Sequence, residues 1–126
     1  MSATGILQAA TGIAKTTQTL VGQVTSCENM EALTLFLDYT KGDETGVDVI
    51  LSGLRSQSGT AYPLRTWTDS AGVNAGVAQK IRLTATGNYM FTFYEIVAID
   101  YFKVTQGGSN NDGTPTGTLA VSYTMV

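Results

Sequence analysis

The densest group of side chains able to do chemistry is acidic: Asp38, Asp43, Glu44 and Asp48 fall close together. Hard cations such as calcium take several carboxylate and carbonyl oxygens from short loops of this kind. The spacing departs from that of the EF-hand calcium loop, so the group reads as a solvated, charged turn, and no metal or other cofactor is expected. Glycoside hydrolysis needs two carboxyl groups facing each other across a cleft. Glu95, Asp100 and Asp69 are available for it, but nothing in their spacing sets them face to face. The chain has no histidine, which removes Ser-His-Asp and Cys-His nucleophiles, imidazole zinc sites and the usual general base near neutral pH. A single cysteine, Cys27, makes neither an internal disulfide nor a thiolate metal cage. It reads as a small buried hydrophobe. Catalysis is not expected.

The aromatic residues are the remaining chemical resource. Trp67, Tyr62, Tyr89, Phe91, Phe93, Tyr94, Tyr101 and Phe102 could build a sugar-stacking platform. Alternation places Tyr89, Phe91 and Phe93 on one face of a strand and Met90 and Tyr94 on the other, so at least one of these faces supplies core.

Composition limits the setting of these groups. The chain has 126 residues, of which 43% are hydrophobic and 13% charged, with 7 Lys and Arg against 10 Asp and Glu and a net charge of −3. A length prior of roughly 150 residues per domain allows one domain. Charged residues run well below the roughly 25% of an average soluble domain, so Thr, Ser, Asn, Gln and Gly must supply the polar surface, which suits packing against other protein. Nucleic-acid binders cluster Lys and Arg, and this chain never places two together, so nucleic acid is not an expected partner. No apolar run approaches the roughly 18 residues of a membrane span. Nor does the start have the basic region of a secretory signal.

From about Ser26 the apolar residues recur with a period of two, the mark of half-buried strands. Leu33, Leu35, Leu37 and Tyr39 alternate with polar positions, Lys41 to Gly46 reads as a turn, and Val47, Val49 and Leu51 follow. This pattern predicts a hairpin over Leu33 to Leu51. Tyr62 to Thr68, with Pro63, reads as an edge strand. Val77 to Thr86 is expected to pair with Tyr89 to Tyr94 across Gly87 and Asn88. Further strands are predicted over Thr17 to Thr25, Ile99 to Gln106 and Gly117 to Val126, with a loop from Gly107 to Pro115. Seven to eight short strands predict an all-β, two-sheet antiparallel sandwich of jelly-roll type. The division is an N-terminal arm or leader over residues 1–16, where Ile6, Leu7, Ala10 and Ile13 lie almost free of charge, and a sandwich domain over 17–126. A first strand covering the sandwich is the other reading of that leader.

Three segments carry a resemblance: Leu33-Thr34-Leu35-Phe36-Leu37-Asp38-Tyr39-Thr40-Lys41-Gly42 with the strand after it, Gly87-Asn88-Tyr89-Met90-Phe91-Thr92, and Gly117-Thr118-Leu119-Ala120-Val121-Ser122-Tyr123. Together they resemble small virion structural proteins of tailed bacteriophages. Where many such proteins have a Ser-x-Asp-Gly and a Trp-Tyr pair after the second strand, this chain has Ser52-Gly53-Leu54-Arg55-Ser56 and Tyr62-Pro63. The resemblance implies a jelly-roll-like capsid decoration (cement) protein, made in the host cytoplasm and carried on the virion surface. Such a protein clamps neighbouring major capsid subunits, often as a homotrimer. The contacting residues would then be Ile6, Leu7 and Ile13 in the leader and Asn110, Asn111, Asp112 and Pro115 in the loop. A head-completion or tail component, and a carbohydrate- or host-receptor-binding sandwich, share the same composition. If the leader is an arm, deleting residues 2–14 should leave a folded sandwich, by circular dichroism, that binds its partner less well.

Overall fold

The structure is a computed structural model that describes residues 2–15, 17–66, 77–108 and 114–126. Eleven strands are formed among these residues: β1 (Ala3–Gly12), β2 (Thr19–Ser26), β3 (Leu33–Thr40), β4 (Val47–Leu54), β5 (Tyr62–Pro63), β6 (Arg65–Thr66), β7 (Val77–Ala78), β8 (Ile81–Leu83), β9 (Gly87–Phe93), β10 (Tyr101–Gly108) and β11 (Thr118–Met125). A 3-10 turn over Glu95–Ala98 separates β9 from β10. Sheet A runs β1-β11-β3-β9, and sheet B runs β2-β10-β4-β5 with β8 also on β4; β6 and β7 form a small ribbon. Strands thus exceed the seven or eight expected, because the region after β4 breaks into two- and three-residue pieces.

All pairings in the two large sheets are antiparallel. Because β10 pairs with β4 along its whole length, β5 and β8 must share the opposite flank. Taken as one strand position, they make sheet A from the first, eighth, third and sixth positions and sheet B from the second, seventh, fourth and fifth. That is the double Greek key of a jelly roll. In this order, β4 to β5 is the only connection between successive positions that stays within one sheet.

Two hairpins expected from the sequence are therefore absent. β3 lies in sheet A and β4 in sheet B, and Lys41 to Gly46 crosses the roughly 10 Å between the layers instead of turning back. Likewise β8 pairs with β4, whereas β9 pairs with β3. The physical reason is that both flanks of β4 are taken, one by β10 along its whole length and the other by β5 and β8, so β3 has no side of β4 left to pair with.

The first sixteen residues also depart from the arm reading. β1 pairs with β11 from Ala3 opposite Met125 to Gly12 opposite Thr118, bulging on either side of Gln8. Leu7 and Ile13 are buried in the core. At the first bulge Gln8 Nε2 donates to the Leu119 carbonyl over 2.8 Å. An edge strand of this kind satisfies the backbone groups that β11 would otherwise leave open.

The core sits between the sheets. Leu33, Leu35, Leu37, Tyr39, Leu119, Val121 and Met125 come from sheet A, and Val21, Val47, Val49, Leu51, Phe102 and Val104 from sheet B. Phe102 and Tyr123 meet across the layers edge to face, with ring centroids 5.7 Å apart, a favoured aromatic geometry. The connection leaving β1 is tied by buried Gln106. Its Oε1 accepts from the Ala14 amide at 3.1 Å, and its Nε2 donates to the Gly12 carbonyl at 3.4 Å. At the closed side of the sandwich, Gly22 takes φ +68° and lies under the Leu7 carbonyl, where a Cβ has no room.

Two expected outcomes follow from β1 and Gly22. Deletion of residues 2–14 removes a whole edge strand with Leu7 and Ile13, and is now expected to abolish cooperative thermal unfolding, the reverse of the arm expectation. Gly22→Ala meets both the positive φ and the Leu7 carbonyl, and should cost on the order of 2 kcal/mol, read as a fall of about 5–10 °C in Tm.

Candidate interaction surface

The sequence-selected residues do not converge on one site. The four carboxylates Asp38, Asp43, Glu44 and Asp48 are held in separate surroundings. Asp38 points outward from β3 and is exposed, and Asp43 is exposed in the crossing loop. Asp48 lies opposite Arg82 in the ladder, and its Oδ1 and Oδ2 accept from Arg82 Nε at 2.8 Å and Nη2 at 3.1 Å. Glu44 is 1% exposed.

Glu44 is a structural carboxylate. Its Oε2 accepts from the Tyr39 hydroxyl and from the Gly42 amide at 3.0 Å, and its Oε1 accepts from the amides of Thr116 at 3.1 Å and Gly117 at 2.9 Å. The Asp43 amide donates to Thr116 Oγ1 at 2.8 Å beside it. Burial alone would raise the Glu44 pKa. The hydrogen bonds from Tyr39 and the surrounding amides outweigh it and hold the carboxyl at about 2, against 4.5 for an ordinary glutamate. Gly117 is required, because a Cβ there would run into Glu44 and the Thr40 carbonyl.

Cys27 is buried, its amide donating to the Asp100 carbonyl at 2.8 Å. Burial, with Asp100 and Glu28 nearby, pushes its thiol up to about 11, the opposite of a reactive thiolate. Glu95 and Asp100 line one shallow cleft of about 420 Å3 with Arg55, Tyr62 and Ile99. The Arg55 guanidinium sits 5.8 Å from the Tyr62 ring centroid there. Tyr89, Phe91 and Phe93 turn half-buried to the core, Phe102 is fully in it, and Tyr94 is exposed beyond β9. Trp67, Asp69, Asn110, Asn111 and Asp112 lie outside the described residues, and Pro115 is partly exposed.

Of the three leader residues expected to make the contact, Ile6, Leu7 and Ile13, only Ile6 faces water, at 78% exposure. Its position in the ladder identifies the surface. Ile6 pairs with Ser122, Ser122 with Phe36, and Phe36 with Met90, so one row crosses all four strands of sheet A. Phe36 is 36% and Met90 65% exposed. The adjoining row is Thr4, Thr124, Thr34 and Thr92, with a 2.9 Å hydrogen bond between the hydroxyls of Thr34 and Thr92. At about 4.8 Å per strand, each row spans roughly 14 Å. A hollow of about 240 Å3 opens beside Ile6, lined by Gln8, Asp38, Ala120 and Ser122. Among the outward residues of β3, β9 and β11 the single charge is Asp38.

The outer face of sheet B is of different character. It carries the Arg82–Asp48 pair and a Thr105 hydroxyl donating to Gln18 Oε1 at 2.7 Å. An almost uncharged face with three large apolar side chains in line has the composition of a protein contact rather than of a solvated surface. Phe36 and Met90 were missed from sequence because they occupy the polar register of their strands. An apolar residue in the outward phase was the readable signal.

No protein-family model and no curated sequence matches the chain. Among solved structures, the SPBc2 prophage-derived protein YomS is similar over 99% of this chain and 92% of its own, with TM-score 0.58 and 11% identity. A chain of infectious bursal disease virus, Gx strain, is similar over 99% of this chain with TM-score 0.52 and 12% identity. This chain spans 32% of that viral chain. At these identities the likeness shows a shared fold.

The buried carboxylate sets an acid response. Glu44 is deprotonated in the folded protein down to about pH 2, whereas the unfolded chain binds the proton near pH 4.5. The resulting stabilisation, about 3 kcal/mol, is fully present above pH 4.5 and is lost as pH falls toward 2. Glu44→Gln should lower stability by about 2–4 kcal/mol at pH 7, because its amide faces N–H donors. Urea melts from pH 7 to pH 2 should show the variant's curve flat where the parent's falls, the two converging at the acid end.

Proposed function

We propose that this protein is a non-enzymatic virion structural protein that binds the outer surface of a capsid and clamps neighbouring major capsid subunits. The observation that carries the reading is the outer face of sheet A, where Ile6, Phe36 and Met90 lie in one exposed row with Asp38 as the single charge of β3, β9 and β11. Flat uncharged sheet surface of this kind suits contact with another protein. The shared fold with a prophage-derived protein and with a virus chain supports the same reading. In this role the protein adds buried interface between subunits that are already in contact, and repetition over the shell multiplies weak single contacts.

A carbohydrate- or receptor-binding module is a second reading, favoured by the cleft that holds Tyr62, Arg55, Glu95 and Asp100 together. It is separated from the first by saturable binding on a glycan array.

The test is co-sedimentation with phage capsids that lack the protein. Stoichiometric binding, with shells that better resist heat, is the expected result. A double variant, Ile6→Asp with Phe36→Asp, should stay folded by circular dichroism and bind at least about tenfold more weakly, since two desolvated carboxylates oppose the contact. Unchanged binding by that variant would move the contact away from sheet A.

A further inference from the structure

The two sheets have four lateral edges, and three are built to resist further pairing. β1 bulges twice. β2 shifts register between its pairings with Phe102 and Val104, and its Gly22 lies under Leu7 of β1, so these two edges cover each other. On the opposite side of sheet B, β5 has two residues, one of them Pro63, and β8 has three with Arg82 among them. Bulges, proline, short length and charge are the usual means of blocking an edge.

β9 has none of these. Its ladder with β3 runs without interruption from Leu33 opposite Phe93 to Tyr39 opposite Gly87. The strand reads Gly-Asn-Tyr-Met-Phe-Thr-Phe, with no charge and no proline. Among the described residues no strand occupies its other side. The core is also not fully closed there, because Tyr89, Phe91 and Phe93 turn to it yet remain partly exposed.

We propose that β9 pairs antiparallel with β9 of a second copy of this chain about a two-fold axis at Met90, joining two copies of sheet A into one eight-stranded sheet. The segment is complementary to itself in that register. Tyr89 faces Phe91 of the second copy, twice by symmetry, and aromatic cross-strand pairs are favourable. Asn88 faces Thr92, amide against hydroxyl. Gly87, over which the Tyr89 ring of its own strand already lies, leaves room for Phe93 opposite it. No like charges meet anywhere along the strand. The contact is isologous and closes at two copies, with main-chain hydrogen bonds supplying the affinity as in other strand additions. The row Ile6, Ser122, Phe36 and Met90 then continues into the second copy's Met90 and Phe36.

One short strand pair buries less than a standard interface, so the dimer should form in the micromolar range. The proposal does not depend on the virion reading, since it is tested on the isolated protein and leaves Ile6 and Phe36 untouched. Light scattering across a concentration series to about 100 µM should show the mass rising from one chain to two. Met90→Lys sets two ammonium groups opposite each other and should weaken the dimer at least tenfold, whereas Thr11→Lys on exposed β1 should leave it unchanged. Met90→Cys should be crosslinked to a dimer by mild oxidation and Thr11→Cys should not, with Cys27 buried and out of reach. A chain that stays monomeric across the series, a trimer unaffected by Met90→Lys, or crosslinking at Thr11→Cys in place of Met90→Cys would each overturn the proposal.

Discussion

A carboxylate sealed from water, with amide and hydroxyl hydrogens as its neighbours, organises one end of this sandwich. Burying a charge is expensive unless hydrogen bonds replace its water, and Glu44 gathers donors from Tyr39, Gly42, Thr116 and Gly117 to do so. One of these donors, Tyr39, stands near the end of β3, Gly42 lies in the loop that carries the chain from sheet A to sheet B, and the other two immediately precede β11. The same group therefore holds the crossing of β3 to β4 and fixes where β11 begins against β3, with Thr118 opposite Thr40. Every later pair in that ladder, including Ser122 with Phe36 and Thr124 with Thr34, inherits the starting register. The rows of the outer face are thus set from a point buried at the end of the molecule.

The faces of the strands were legible in the sequence, and their neighbours were not. Period-two alternation groups Leu33, Leu35, Leu37 and Tyr39 on one face of β3, which is the buried one, and separates Tyr89, Phe91 and Phe93 from Met90 on β9, where the structure decides that the aromatic trio is the inward face. Alternation says nothing about which strand lies alongside, and turn-rich connections such as Lys41 to Gly46 serve a hairpin and an inter-sheet crossing equally well. The jelly-roll class followed from strand number and turn spacing, without the strand order; the hairpins read along the chain did not survive, because the observed order sends nearly every connection across the core. Asp48 looked solvated because its partner, Arg82, is remote in sequence. The leader misled for a related reason: Ile6, Leu7 and Ile13 sit at helical spacing, yet the vacant side of β11 draws them into a bulged strand, and the bulges disturb the period of two that would have announced it.

The two faces of the sandwich divide their roles by chemistry. Sheet B carries internal pairs on its outer surface, Asp48 with Arg82 and Gln18 with Thr105, beside one exposed apolar side chain, Leu20. Among the described residues, sheet A leaves its threonine and apolar rows without such partners, apart from the Thr34–Thr92 contact. A surface committed to its own hydrogen bonds and ion pairs offers little to a second molecule, whereas one that has kept side chains unpaired presents them in a fixed lattice set by the backbone spacing.

Pairing of β1 with β11 has a geometric consequence for anything joined to this protein. Ala3 and Met125 stand side by side on neighbouring strands, about 5 Å apart, at the margin of sheet A farthest from β9. A passenger fused to either end would leave from the same corner of the sandwich. For the same reason a short linker could join the ends into a continuous loop, with new ends opened in the exposed stretch between β4 and β5. Display of a cargo and rearrangement of the chain order thus share one margin, separated by the width of a sheet from the opposite edge.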